Sequence, residues 1–299
     1  MKTKTIITAG LSTLCVWAGA AWGAPITFNT ALPVHEGGYV LREQFIYMKV
    51  ADDPSSSRRD MRVSEVMSVL GYGVTPDFAL FGMLPWFDKR LDMTTGGQNL
   101  SRRKSGVGDF TLLGRYTAYQ YDAPGRTLRI APFLGVEAPT GEDNAGDGSG
   151  RLPASVQPGS GSWDALGGAV LTYQTLDFQI DGQLSYKVNR EANGFQAGDV
   201  AELDGSLQYR LWPGSLGSGV PAFLYGVLEA NLLHATRDES GGIDDPNSGG
   251  TTLFITPGVQ YVTRKWIVET GVQIPVVQNL NGTALKTDYV FTAGFRINF

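Results

Sequence analysis

The last fifteen residues, Leu285–Phe299, read LKTDYVFTAGFRINF. Tyr289, Phe291, Ala293, Phe295, Ile297 and Phe299 are apolar. Between them lie Asp288, Val290, Thr292, Gly294, Arg296 and Asn298, mostly polar and of both charge signs. Successive side chains of an extended strand point to opposite faces, so such a segment has one apolar face and one wet face. The same alternation recurs at 110–118, 128–136, 176–189, 201–211, 224–232 and 266–274. Period two sustained over so many segments fixes strands as the building block. About twelve segments emerge, each near the ~9–11 residues that a tilted strand needs to cross a bilayer. They fall at 38–50, 61–74, 77–91, 106–121, 125–138, 162–174, 175–189, 198–212, 221–236, 250–263, 265–277 and 285–299. FALFGMLPWF at 78–87 is apolar on both faces, which leaves its register open.

A soluble sandwich also alternates, but its inward face is uniformly apolar. Here one face is apolar and the other carries Asp, Glu, Arg or Gln in nearly every strand. Burying unpaired charges in a dry core costs several kcal/mol each. A closed antiparallel barrel with a water-lined lumen and a lipid-facing exterior removes the conflict, and among sheets only a closed barrel satisfies every backbone group in lipid. The expected fold is therefore an all-β transmembrane barrel, with Phe291, Phe295 and Phe299 toward lipid.

The connections alternate in length. Thr75-Pro76, DAPG (122–125), TLD (175–177) and TRK (263–265) are tight, with WPGSLGSGVP (212–221) as the longer exception. Segments 51–60, 94–106, 140–162, 190–198, 236–250 and 279–285 are long and rich in Gly, Ser and Asp. Short periplasmic turns and longer extracellular loops are the layout of an outer-membrane barrel. An even strand number leaves both ends of the barrel on the periplasmic side.

Residues 1–23 have the order of a secretory leader: Lys2 and Lys4, an apolar stretch from Ile6 to Ala21, then the small-x-small triplet Ala21-Trp22-Gly23. The apolar stretch is shorter than the ~20 residues of a spanning helix, so cleavage after Gly23 is expected rather than anchoring. Residues 24–37 form a periplasmic lead that tucks into the barrel mouth, and 38–299 form the barrel. The single cysteine, Cys15, lies in the leader. The processed chain then carries no disulfide, as suits a protein threaded unfolded through a periplasm. A net charge of −5 argues against nucleic acid, which calls for a basic stripe.

GVGDFTLLGRY (106–116), GVEAPTGEDN (135–144) and VQPGSGSWDALGGAVLTY (156–173) resemble the outer-membrane family labelled "MetA-pathway of phenol degradation". The shared features are a Gly-x-Gly-Asp strand start (Gly106, Gly108, Asp109), a Pro-Thr-Gly strand end (Pro139, Thr140, Gly141) and a Pro-Gly-x-Gly-Ser loop (Pro158, Gly159, Gly161, Ser162). The resemblance implies a transporter-like barrel for aromatic or other small hydrophobic molecules.

The functional candidates are the polar residues expected to face the lumen: Arg42, Asp109, Arg115, Arg129, Glu137, Asp181, Glu202, Arg210, Glu229, Glu269, Asp288 and Arg296. Their mixed signs predict a laddered, partly plugged interior, with Glu202 and Arg210 as one pair. Catalysis would need a histidine base. After the leader only His35 and His234 are available; His234, with Thr236 two positions on, reads as a rim residue. The acidic loops 142–150 and 238–247 lack the spacing of a calcium loop. No catalytic residue, metal or cofactor is therefore assigned. Expected partners are outer-membrane lipid and lipopolysaccharide, the latter through Arg58-Arg59 and Arg102-Arg103-Lys104. The barrel-assembly machinery, acting on the C-terminal strand, and a small solute complete the set. A sealed structural barrel is the second reading, and a hydrolase around His234 the third.

Overall fold

The computed structural model describes residues 23–215 and 222–299. The leader therefore lies outside the described residues apart from Gly23, as does part of the 212–221 connection. The chain forms twelve antiparallel strands. They are β1 (Tyr39–Asp52), β2 (Asp60–Gly73), β3 (Phe78–Thr95), β4 in three segments (Gln98–Val107, Phe110–Tyr116, Tyr119–Ala123), β5 (Arg126–Ala138), β6 (Asp164–Thr175), β7 (Phe178–Val188), β8 (Val200–Trp212), β9 (Phe223–Ala235), β10 (Gly250–Val262), β11 (Trp266–Leu280) and β12 (Lys286–Asn298). Each pairs with its sequence neighbours, and β1 closes the ring on β12 with Gln44 opposite Gly294 and Phe45 opposite Ala293. Closure removes the free edges that lipid would otherwise leave without hydrogen bonds.

The burial pattern is that of a soluble protein turned inside out. On β8, Leu207 is 46% exposed while its neighbour Gln208 is fully buried. Leu184, Leu203, Leu228, Phe295 and Phe299 are exposed; Asp181, Gln179, Thr256, Gln260, Glu229 and Glu269 are buried. Apolar side chains on the outside are stable only against lipid, so the exterior is the membrane face.

β3 and β4 run furthest beyond their expected bounds. The segment expected as a loop at 94–106 is a hairpin in which β3 and β4 continue to a Gly96-Gly97 turn. Both glycines have positive φ (59° and 79°), the conformation that a tight hairpin turn requires and that glycine adopts without strain. The acidic loops also fold back: Gly146–Asp147 pairs with Gly150–Arg151, and Glu239–Ser240 with Ile243–Asp244.

Where β4 breaks at Gly108-Asp109, the three family motifs converge. A Cβ on Gly141 would stand 2.8 Å from the Gly159 Cα and 2.9 Å from the Gly108 carbonyl carbon. Only glycine allows backbones this close. Thr140 bridges the break, taking the Phe110 N–H on its hydroxyl oxygen at 2.8 Å.

The lumen and the segment that fills it

The lumen is not empty, and its occupant is the chain's own lead. From the short-turn end the segment 24–34 runs inward and then doubles back. Thr30 and Ala31 meet the Thr172 hydroxyl on β6, the Ala31 N–H donating to it at 2.8 Å. Asn29 reaches Gln183 on β7. The N–H groups of Ile26 and Thr27 donate to the two carboxylate oxygens of Glu229 on β9, at 2.7 and 3.1 Å. The Gln260 side-chain amide on β10 donates to the Ala24 carbonyl. Arg42 donates to the carbonyls of Pro25 and Ile26 at 3.0 and 2.7 Å, and Arg115 to those of Thr30 and Leu32. A strand-less backbone inside a barrel must have its polar groups met by side chains, and the lumen residues supply that service. The lead therefore sits well inside the barrel rather than at its mouth. A segment this short has no core of its own, but polar and charged partners on six strands hold it.

Arg42, Asp181, Glu229 and Glu269 sit together around this segment, with Arg115 holding its downstream side. Arg42 pairs with Glu269 at 2.6 Å, and Arg296 lies directly opposite Arg42 in the β1–β12 register. Asp181 accepts from Thr172, Gln179 and Gln208. Glu202 faces the same lumen, accepting from the Ser185 hydroxyl at 3.2 Å.

The remaining candidates lie elsewhere. Glu137 pairs with Lys187 at 2.8 Å toward the long loops. Arg129 pairs with Asp122 at 2.7 Å at the short-turn end. Arg210 pairs with Asp177 there, so it forms no pair with Glu202: eight residues along one strand separate the two. Asp288 lies near the long-loop rim, 3.6 Å from Lys49.

Asp109 ties the loop knot. Its carboxylate accepts from the Gly141 N–H at 2.8 Å, the Ser160 N–H at 2.6 Å and the Ser160 hydroxyl at 2.8 Å. Asp109→Ala leaves three donors without an acceptor and should lower unfolding free energy by roughly 3 kcal/mol. Asp109→Asn should lose less. Urea unfolding of the refolded variants measures both, and an unchanged midpoint for the alanine variant contradicts this role.

Sequence reasoning missed the other half of the lumen. The inward faces of β1–β6 carry Ile46, Met67, Val69, Phe81, Met83, Leu113, Phe133 and Leu166. With Phe28 and Leu32 of the inner segment they line a cavity of about 400 Å³. Polar side chains dominate the opposite wall. The signal was present in FALFGMLPWF: a strand with Leu80, Leu84 and Trp86 toward lipid and Phe81, Met83 and Phe87 inward is apolar on both faces. A second cavity of about 500 Å³, lined by Phe87, Lys89, Glu137 and Lys187, opens toward the long loops. A third of about 520 Å³, lined by His35, Tyr39 and Arg129, opens at the short-turn end. Leu32, Pro33 and Val34 line both the middle and the short-turn cavities and so stand between them.

The loop cations are largely committed within the chain. Arg102 pairs with Asp147 at 2.6 Å, Arg103 with Asp88 at 2.6 Å and Lys104 with Glu142 at 2.6 Å. Arg59 pairs with Asp53 and, through that hydrogen bond, holds the Asp53 carboxyl well below the usual carboxylate range. His234 lies exposed on the outward face with Nδ1 2.8 Å from the Thr251 hydroxyl, while the Thr236 hydroxyl accepts from Asp199 N–H. The two do not meet.

Among solved structures, an outer membrane channel from Pseudomonas putida F1 is similar: 15% identity, 93% of this chain and 100% of that one, TM-score 0.62. The β-domain of the Bordetella autotransporter BrkA (14%, 88% and 100%, TM-score 0.46) and the CymD monoaromatic hydrocarbon channel (12%, 94% and 94%, TM-score 0.42) are more distant barrels. No curated protein matches the sequence significantly. The family described as "Putative MetA-pathway of phenol degradation" matches residues 61–280, which span nine of the twelve strands in full and all of β2 but its first residue. The chain belongs to that family.

Proposed function

We propose that the protein is a non-catalytic outer-membrane channel for small hydrophobic solutes of about aromatic-ring size. The observation that carries this reading is the split lumen, with an apolar wall on β1–β6 facing a charged, hydrogen-bonded one. A pore for hydrophilic solutes has no use for the part-exposed Ile46, Met67, Phe81 and Met83 on its inner surface, where water would meet them. An apolar solute has: it exchanges water for that wall at roughly 25 cal/mol per Å² buried. The three cavities lie in series, and Leu32-Pro33-Val34 forms the step between the middle and the periplasmic one. The similar Pseudomonas protein being an outer membrane channel supports the same reading, as does the family. In this account the leader directs export and is removed, and the C-terminal strand is what the chain offers to the barrel-assembly machinery.

Binding tests the site. Purified wild-type protein should quench or shift the fluorescence of naphthalene saturably. Met83→Glu, which places a charge on the apolar wall, should weaken that binding about tenfold or more. Equal binding by wild type and a folded Met83→Glu variant would remove the wall from the solute path.

A further inference from the structure

At its upstream end the lumen-filling segment meets two buried acceptors that no group among the described residues satisfies. Gln208 and Gln260 are fully buried. Each commits its amide nitrogen to a carboxylate: Gln208 Nε2 to Asp181 at 3.1 Å, and Gln260 Nε2 to Glu269 at 2.8 Å. These donations fix which end of each amide is oxygen, because the flipped amide would set its oxygen against a carboxylate. Both Oε1 atoms are then left without a hydrogen-bond partner, which is costly for buried acceptors. They point at one place. A Cβ on Gly23 would stand 2.5 Å from Gln208 Oε1 and 3.5 Å from Gln260 Oε1.

The surrounding charge is also unbalanced. Among the described residues, four buried carboxylates (Asp181, Asp204, Glu229, Glu269) face this part of the lumen, against the guanidinium groups of Arg42, Arg115 and Arg296. Arg42 is held by Glu269, and Arg115 is spent on backbone carbonyls. Carboxylates outnumber guanidinium groups here, and two acceptors are to spare.

We propose that this corner is a binding site for the α-ammonium group of Ala24, made when the chain is cut between Gly23 and Ala24. Water adds across that peptide bond: the released leader leaves with a carboxylate on Gly23, and Ala24 keeps a protonated amine. The uncut Ala24 amide has a single N–H and no charge. The ammonium has three N–H donors and the missing positive charge, so two of its protons meet Gln208 and Gln260 beside Asp181 and Glu269. Processing after the Ala21-Trp22-Gly23 triplet is thereby the step that latches the segment in the lumen.

The test uses protein purified from outer membranes, its first residue read by intact mass and N-terminal sequencing. At neutral pH an N-hydroxysuccinimide ester labels an unfolded α-amine ahead of the lysines, because an α-amine titrates near ~7.7–8.0. Ala24 should be the first residue, and its amine should react at least about tenfold more slowly in the folded barrel than in urea. Gln208→Leu/Gln260→Leu should restore most of that reactivity in protein whose heat-modifiable gel mobility shows a folded barrel. Gln260→Leu alone serves if the double variant does not fold. A first residue other than Ala24, equal labelling in folded and unfolded wild type, or undiminished protection in a folded leucine variant each overturns the proposal.

Discussion

Leu184→Arg should lower the unfolding free energy by roughly 2–4 kcal/mol, the cost of a charge on the lipid face near mid-membrane. Ser185→Arg, one residue on, should change it by less than about 1 kcal/mol. Leu184 lies exposed near the middle of β7 opposite Leu203, whereas Ser185 faces the lumen beside Glu202. An arginine on the lipid face must deform the bilayer or lose its hydration. In the lumen it finds water and an acid. Reversible urea unfolding in lipid vesicles measures the difference, and equal cost at both positions would mean that the apolar face is not in lipid.

Deleting residues 24–33 should raise ion conductance through the reconstituted barrel several-fold and leave the barrel folded. The backbone ladders of the twelve strands run from strand to strand, so no barrel pairing depends on the segment. The groups it leaves behind, Glu229, Arg42, Arg115 and Thr172, are polar and take water in its place. Losing a contact to water costs little compared with leaving a buried group unmet. A barrel that no longer folds, or whose conductance is unchanged, would contradict the role given to this segment.

The barrel was legible because lipid imposes a strict rule on every strand. Leu176, Phe178, Ile180, Gly182 and Leu184 alternate with Asp177, Gln179, Asp181, Gln183 and Ser185 in the sequence itself. The strand count and the alternation of loop lengths followed from that rule and stand in the fold. The contents of the lumen were less legible. Period two says that Glu202 and Arg210 face inward together, but their eight-residue separation along one strand keeps them at different heights; that Arg210 meets Asp177 instead depends on the register between strands. The course of 24–34 has no periodicity at all, since its backbone is held by side chains from strands far along the chain, such as Glu229. The apolar half of the lumen was hidden because both faces of 78–87 look alike when lipid and the solute path each select hydrophobic residues.

The account rests on an apolar solute moving along the β1–β6 wall, and flux measures this directly. Vesicles with lipopolysaccharide as the outer leaflet resist entry of aromatic hydrocarbons through the lipid itself. With wild-type protein in such vesicles, naphthalene should enter faster than into protein-free controls while ion conductance stays low. A folded Met83→Glu variant should lose the naphthalene flux. Entry no faster than in the protein-free vesicles, or naphthalene flux unaffected by Met83→Glu, would contradict the account and leave a sealed structural barrel as the better description.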